Sequence, residues 1–137
     1  MGVAAAGAIV KLVACLADAS AAVQQQAAGT LRNLAGGDSR GQGRADAIVA
    51  AGAIPALVVR LCRTEAGVQE QAAGALRRLA VGSEGHKAAI AGAGAIPPLL
   101  TCLGSSSERV QAQAAGALLT LSAGSEGCKL EAPLRLR

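Results

Sequence analysis

Two stretches decide the fold: GAIPALVVRL at residues 52–61 and VQEQAAGALRRLA at residues 68–80. Variants of both stand on either side of them. Gly-Ala-Ile opens at Gly7, Gly52 and Gly94, and Gln-Ala-Ala-Gly closes at Gly29, Gly74 and Gly116. Both series step by 45 and then 42 residues, and Val23, Val68 and Val110 each lie 16 residues after the Gly-Ala-Ile glycine. Three markers in one register define a repeat architecture. Such a unit cannot bury its own apolar face and gains a core by stacking on its neighbours.

Each copy reads as helices. Leu57, Val58 and Leu61 recur as Leu12, Val13, Leu16 and as Leu99, Leu100, Leu103, an i, i+1, i+4 stripe on one helical face. Pro55 and Pro97 fall in a first turn, where a missing N–H costs little. Ser20 and Ser107, three residues before a marker valine, are predicted N-caps. The long V-Q-x-Q-A-A-G-x-L-x-x-L helix should bury Val68, Ala72, Ala73, Leu76, Leu79 and Ala80, and stop at Gly36, Gly82 or Gly124. The junction from Ser83 to Ile90 reads as a turn and a short helix. The longer junction from Gly37 to Ala47 reads as a flexible loop before a short helix at 47–50.

The expected organisation is one domain over 1–137. Repeat 1 runs from about 6 to 50 and lacks its first helix, repeat 2 from about 51 to 92, and repeat 3 from about 93 to 124. Residues 125–137 read as a partial fourth repeat and a basic tail, and the chain reads as truncated at both ends. Composition excludes several rivals. Hydrophobic residues make up 52% and aromatics 0%, so base-stacking platforms, aromatic cages and aromatic-rich β-sandwiches are out. Lys11, Asp18, Arg60 and Arg63 interrupt every apolar stretch that would span a membrane. The apolar start lacks the basic residues of a signal peptide, and Ala6 stands where N-myristoylation wants Ser or Thr.

Cys15, Cys62, Cys102 and Cys128 form no CxxC and no Cys–His ligand pair, so no metal and no cofactor is expected. They read as reduced structural thiols, which fits a cytoplasmic or nuclear protein. His86 is the only histidine, with Arg44 and Cys128 as its counterparts, and reads as solvent-facing rather than catalytic. GSEGHK at 82–87 lacks the spacing of a phosphate loop and recurs as GSEGCK at 124–129, so it is a turn. No catalytic residue is assigned, and the chain is not expected to be an enzyme.

A unit of this length carrying GAIPxL and VQxQAAGALxxL resembles the armadillo repeat, closer to the vacuolar, catenin-like and plant U-box-associated members than to the nuclear-import adaptors. The resemblance implies an all-α, right-handed α-solenoid of about three repeats of three helices. It also implies a protein-binding groove lined by the third helices. In the import adaptors that helix carries a Trp and an Asn. Here the Trp positions hold Gly29, Gly74 and Gly116 and the Asn positions Asn33, Arg78 and Thr120, so import-cargo binding is not implied.

The three glycines are expected to leave room for a neighbouring backbone. Gln25, Arg32, Glu70, Arg77 and Arg78 should project from the groove side, where arginines suit carboxylates or carbonyls of an acidic or mixed partner. The alternative is a solvated helix face. The expected function is a non-catalytic scaffold holding an extended or helical segment of a protein or peptide partner, with no small-molecule substrate. Alternatives are a piece of a ubiquitin-ligase or membrane-tethering scaffold, self-association through uncapped ends, and weak nucleic-acid binding through the net charge of +4.

Overall fold

The computed structural model describes residues 3–36, 41–62, 65–81 and 83–123. These form eight helices: α1 (Val3–Cys15), α2 (Ala21–Ala35), α3 (Gly41–Ala50), α4 (Ala53–Arg60), α5 (Ala66–Ala80), α6 (Glu84–Gly92), α7 (Ile96–Cys102) and α8 (Glu108–Ser122). There is no strand among the described residues. The long helices α2, α5 and α8 lie side by side with α5 in the middle, and the shorter helices back them.

The repeat markers have physical jobs. Gly52 and Gly94 adopt φ of 87° and 84°, the left-handed turn that reverses the chain between a first and a second helix. Gly7 lies inside α1 and makes no such turn. Ser20 and Ser107 accept hydrogen bonds from the backbone of Val23 and Val110, as N-caps should, whereas Glu65 caps α5 without a side-chain bond. The glutamine after each marker valine secures the preceding loop. Gln24 donates to the carbonyl of Asp18, Gln69 to that of Leu61, and Gln111 to those of Leu103 and Ser105.

The core follows the expected stripes. Val68, Ala72, Ala73, Leu76, Leu79 and Ala80 are fully buried, and Leu57, Val58 and Leu61 pack behind them. The third copy of the second stripe differs: Leu99 is buried, but Leu100 and Leu103 are exposed. Cys102 shows why position in the stack matters. It sits against the Leu61 carbonyl, so α7 covers the end of α4. No described element covers α7 in the same way.

Three expectations need correcting. Most of the first junction is helix: α3 begins at Gly41, with Ala45 and Ile48 buried beneath the stack. Tertiary burial overrides its glycine and charge content there. The order of a short, a medium and a long helix expected in each unit is not kept, since α3 and α6, before Gly52 and Gly94, have 10 and 9 residues against 8 and 7 for α4 and α7. Finally, His86 is buried rather than solvent-facing. Its Nδ1 meets the Leu79 carbonyl at 3.1 Å and its Nε2 the Asp46 carboxylate at 2.9 Å. Arg44, its counterpart, donates from Nε to the Leu34 carbonyl at 3.1 Å. Both residues therefore cap the last turn of a long helix, where carbonyls lack intrahelical donors. The stops expected at Gly82 and Gly124, Cys128 and the tail 125–137 lie outside the described residues.

Candidate functional site

The candidate residues lie on α2, α5 and α8, and the structure gives each repeated feature a partner in the next repeat. Arg32 lies across Gly74. A Cβ added there would stand 2.7 Å from its Nε and 2.8 Å from its Cδ. The Arg32 guanidinium then donates to Gln71 Oε1 at 3.2 Å. One repeat further on, Arg77 lies across Gly116 in the same way and donates to Gln113 Oε1 at 3.3 Å. Gly74 and Gly116 thus make room for a neighbouring arginine side chain, and Gly29 faces the Gln71 side chain, so none of the three has a backbone as its nearest neighbour. That corrects the sequence expectation, and the roughly 1 kcal/mol cost of each glycine goes with an inter-repeat contact.

Arg78 runs the opposite way. It packs over Gly36, and its guanidinium donates to the carbonyl of Arg32, in the last turn of α2. A cation suits that end of a helix, where the exposed carbonyls carry partial negative charge. Gln25 in turn lies over Gly67 of α5. Repeats 1 and 2 are therefore cross-linked by two arginines pointing in opposite directions.

Between α2 and α5 these side chains leave a polar cavity of about 360 Å³. Gln25, Gly29, Arg32, Asn33 and Arg78 line it, together with Gln26, Thr30 and Gln71, which sequence reasoning missed. For two of them the signal was present: Gln26 and Gln71 open the repeated Gln-Ala-Ala-Gly string, which marks the repeat without marking a groove residue. Of the remaining candidates, Gly74, Arg77 and Gly116 belong to the arginine ladder, while Thr120 bonds back to the Gly116 carbonyl of its own helix.

The cavity is cationic. Among the described residues, no carboxylate lies within ion-pair distance of Arg32, Arg77 or Arg78, and all three donate to neutral oxygens. Burial, and next the charge of Arg78, pull the Arg32 guanidinium below its ordinary value. Glu70 pulls the other way and Arg77 adds to the lowering. A guanidinium nevertheless stays charged at any ordinary pH, so positive potential persists there. Each guanidinium has five donor hydrogens and gives only one recorded bond, which leaves donors for a ligand. At the far end of the ladder Leu119 replaces the arginine and is 70% exposed.

A family model described as Armadillo/beta-catenin-like repeat matches residues 3–36, 42–81 and 83–123. The chain belongs to the armadillo-repeat family. Armadillo repeats typically form non-catalytic scaffolds. No curated protein matches the sequence, but solved structures do. One engineered protein is 34% identical with a TM-score of 0.80, over 86% of this chain and 48% of its own length. A computationally designed armadillo repeat protein for modular peptide recognition is 31% identical with a TM-score of 0.78, over 88% of this chain and 49% of its own. A designed armadillo repeat protein in complex with peptide (KR)4 is 31% identical with a TM-score of 0.77, over 83% and 46% respectively. The armadillo chain described here thus spans a little under half the length of these relatives, with the same all-helical solenoid. No described helix is long and apolar enough to cross a membrane, and no group of three or more potential metal ligands occurs among the described residues.

Proposed function

We propose that this armadillo chain is a peptide-binding scaffold whose partner presents an acidic residue to the cavity between α2 and α5. The observation that carries this reading is the convergence of Arg32 and Arg78 on that cavity without a carboxylate partner. A carboxylate accepts paired N–H donors in the plane of a guanidinium, and such charge-assisted bonds are about twice as strong as neutral ones. The relatives designed for peptide recognition support the scaffold role. The basic peptide of one of them is not carried over, because Arg78 here would repel it.

With Gly29, Gly74 and Gly116 where the import adaptors carry Trp, the vacuolar, catenin-like and U-box-associated armadillo proteins are taken as functional models in place of those adaptors. On that reading the module is the partner-binding part of a larger intracellular scaffold. A second reading, self-association through the N-terminal face, is favoured by one contrast. Val23 is 37% exposed and borders an apolar cavity with Leu12 and Ala27, whereas its equivalents Val68 and Val110 are fully buried.

A direct test is capture from degenerate peptide libraries of about eight residues, the length that three stacked helices span. Acidic sequences should be enriched, and Arg77→Glu with Arg78→Glu should remove that enrichment. Enrichment of basic sequences, or an unchanged profile in the double variant, sinks the groove reading. A single monomer species in sedimentation at high concentration sinks self-association.

A further inference from the structure

The cavity has more positive charge than a carboxylate neutralises. Arg32 and Arg78 both line it and no carboxylate does, although Glu70, outside the lining, acts on Arg32 as an opposing charge. Two guanidiniums in the lining exceed the single charge that an Asp or Glu side chain would bring. A phosphoryl group on Ser or Thr carries about −1.5 to −2 at neutral pH and three strong acceptor oxygens. The donor supply matches that demand, because Arg32 and Arg78 retain free N–H groups and Asn33, Gln26 and Thr30 stand around them. We infer that the cavity takes the phosphoryl group of a phosphorylated serine or threonine in the partner segment, in preference to a carboxylate. This rests on the groove reading above and narrows it: partner binding would be switched on by a kinase-type reaction on the partner.

The source is a peptide rather than a nucleic acid or a lipid surface. A phosphodiester backbone is held by a succession of cations along its length. Among the described residues, two cations that could extend such a track are already engaged: Arg44 donates to the Leu34 carbonyl, and Lys87 is buried against Glu84 and the Ala123 carbonyl. What remains is one recessed cluster of about 360 Å³, the size of a single side-chain group with its flanking backbone.

The test uses three degenerate eight-residue libraries that differ only in a fixed central Ser, Asp or phosphoserine, titrated by fluorescence polarisation. The phosphoserine library should bind roughly tenfold more tightly than the Asp library, the scale expected of an added charge-assisted contact. Arg78→Gln should erase that difference. Because Arg78 also ties two repeats together, Asn33→Asp serves as the second variant. It places a carboxylate on the exposed rim, should leave the helical circular dichroism unchanged, and should likewise bring the two libraries to equal affinity. Equal binding of Asp and phosphoserine libraries by the unaltered protein overturns the inference and leaves the groove reading standing. Failure of all three libraries overturns both. Tighter binding to a single-stranded oligonucleotide, or to phosphatidylcholine vesicles carrying a phosphoinositide, overturns the peptide source.

Discussion

Arg32 and Leu119 occupy the same position in their repeats, three residues after the helical glycine, and meet opposite environments. Arg32 is half-buried, laid across Gly74 and bonded to Gln71, whereas Leu119 stands 70% exposed. Val68 and Val23 make the same contrast on the other face, fully buried in the middle repeat and 37% exposed in the first. Residue type and helix are alike within the valine pair, so what differs is the presence of a preceding repeat. In this chain stability belongs to the junctions between repeats more than to the repeats themselves, as nearest-neighbour models of solenoids hold.

The largest expected effect follows from the valine pair. Val68→Ala removes two buried carbons at about 0.8 kcal/mol each and leaves a cavity, for a loss of about 2 kcal/mol in urea denaturation. Val23→Ala, at the half-open position, should change stability by no more than about 0.5 kcal/mol. Equal losses would show that Val23 is covered in solution, which would sharpen the case for a partner or second copy on that face.

A smaller effect is expected at the helix-end contacts made by His86 and Arg44. His86→Ala leaves the Leu79 carbonyl without its side-chain donor and removes the bond to Asp46, a loss of about 1–2 kcal/mol. Arg44→Ala removes one bond from a more accessible side chain and should cost less, about 0.5–1 kcal/mol. The comparison breaks if the two losses are reversed. His86 would then belong to the periphery, as its variability among the three copies first implied.

That reversal of expectation shows where the sequence was legible. Helices, their order and the buried faces could be read because apolar periodicity is local, and Val68, Ala72, Leu76 and Leu79 sit where their spacing puts them. The family resemblance carried the arrangement of the third helices. Contacts between repeats were not legible, because they join residues 36 to 46 positions apart whose partners no local pattern names. Gln71 and Gln113 looked like members of a repeated string, and their role as arginine acceptors needs the stack to be assembled. His86 was misread for a different reason, since its carbonyl partner lies only seven residues back. One position held Arg in one copy and His in the next, which looked like drift, yet both side chains donate to the same carbonyl position of the preceding helix.

The finest test sets one glycine against another. Gly7 lies within α1 with nothing within 4 Å of an added Cβ, so Gly7→Ala should stabilise by about 0.5–1 kcal/mol through backbone entropy alone. Gly74→Ala would gain the same helical preference, but its Cβ would meet Arg32 at Nε, Cδ and Cζ, all within 2.9 Å. Arg32 must then swing out and give up Gln71, a charge-assisted bond worth about 1.5–3 kcal/mol before the released side chain regains freedom and hydration. The two terms nearly cancel, and the net change should be a loss of up to about 1 kcal/mol rather than a gain. Pairing Gly74→Ala with Arg32→Ala isolates the contact. Once the arginine is gone the same Cβ loses the three contacts nearest to it, and the substitution should turn stabilising, toward the gain of Gly7→Ala. A loss that persists in the double variant would mean that the backbone, not the arginine, needs the glycine.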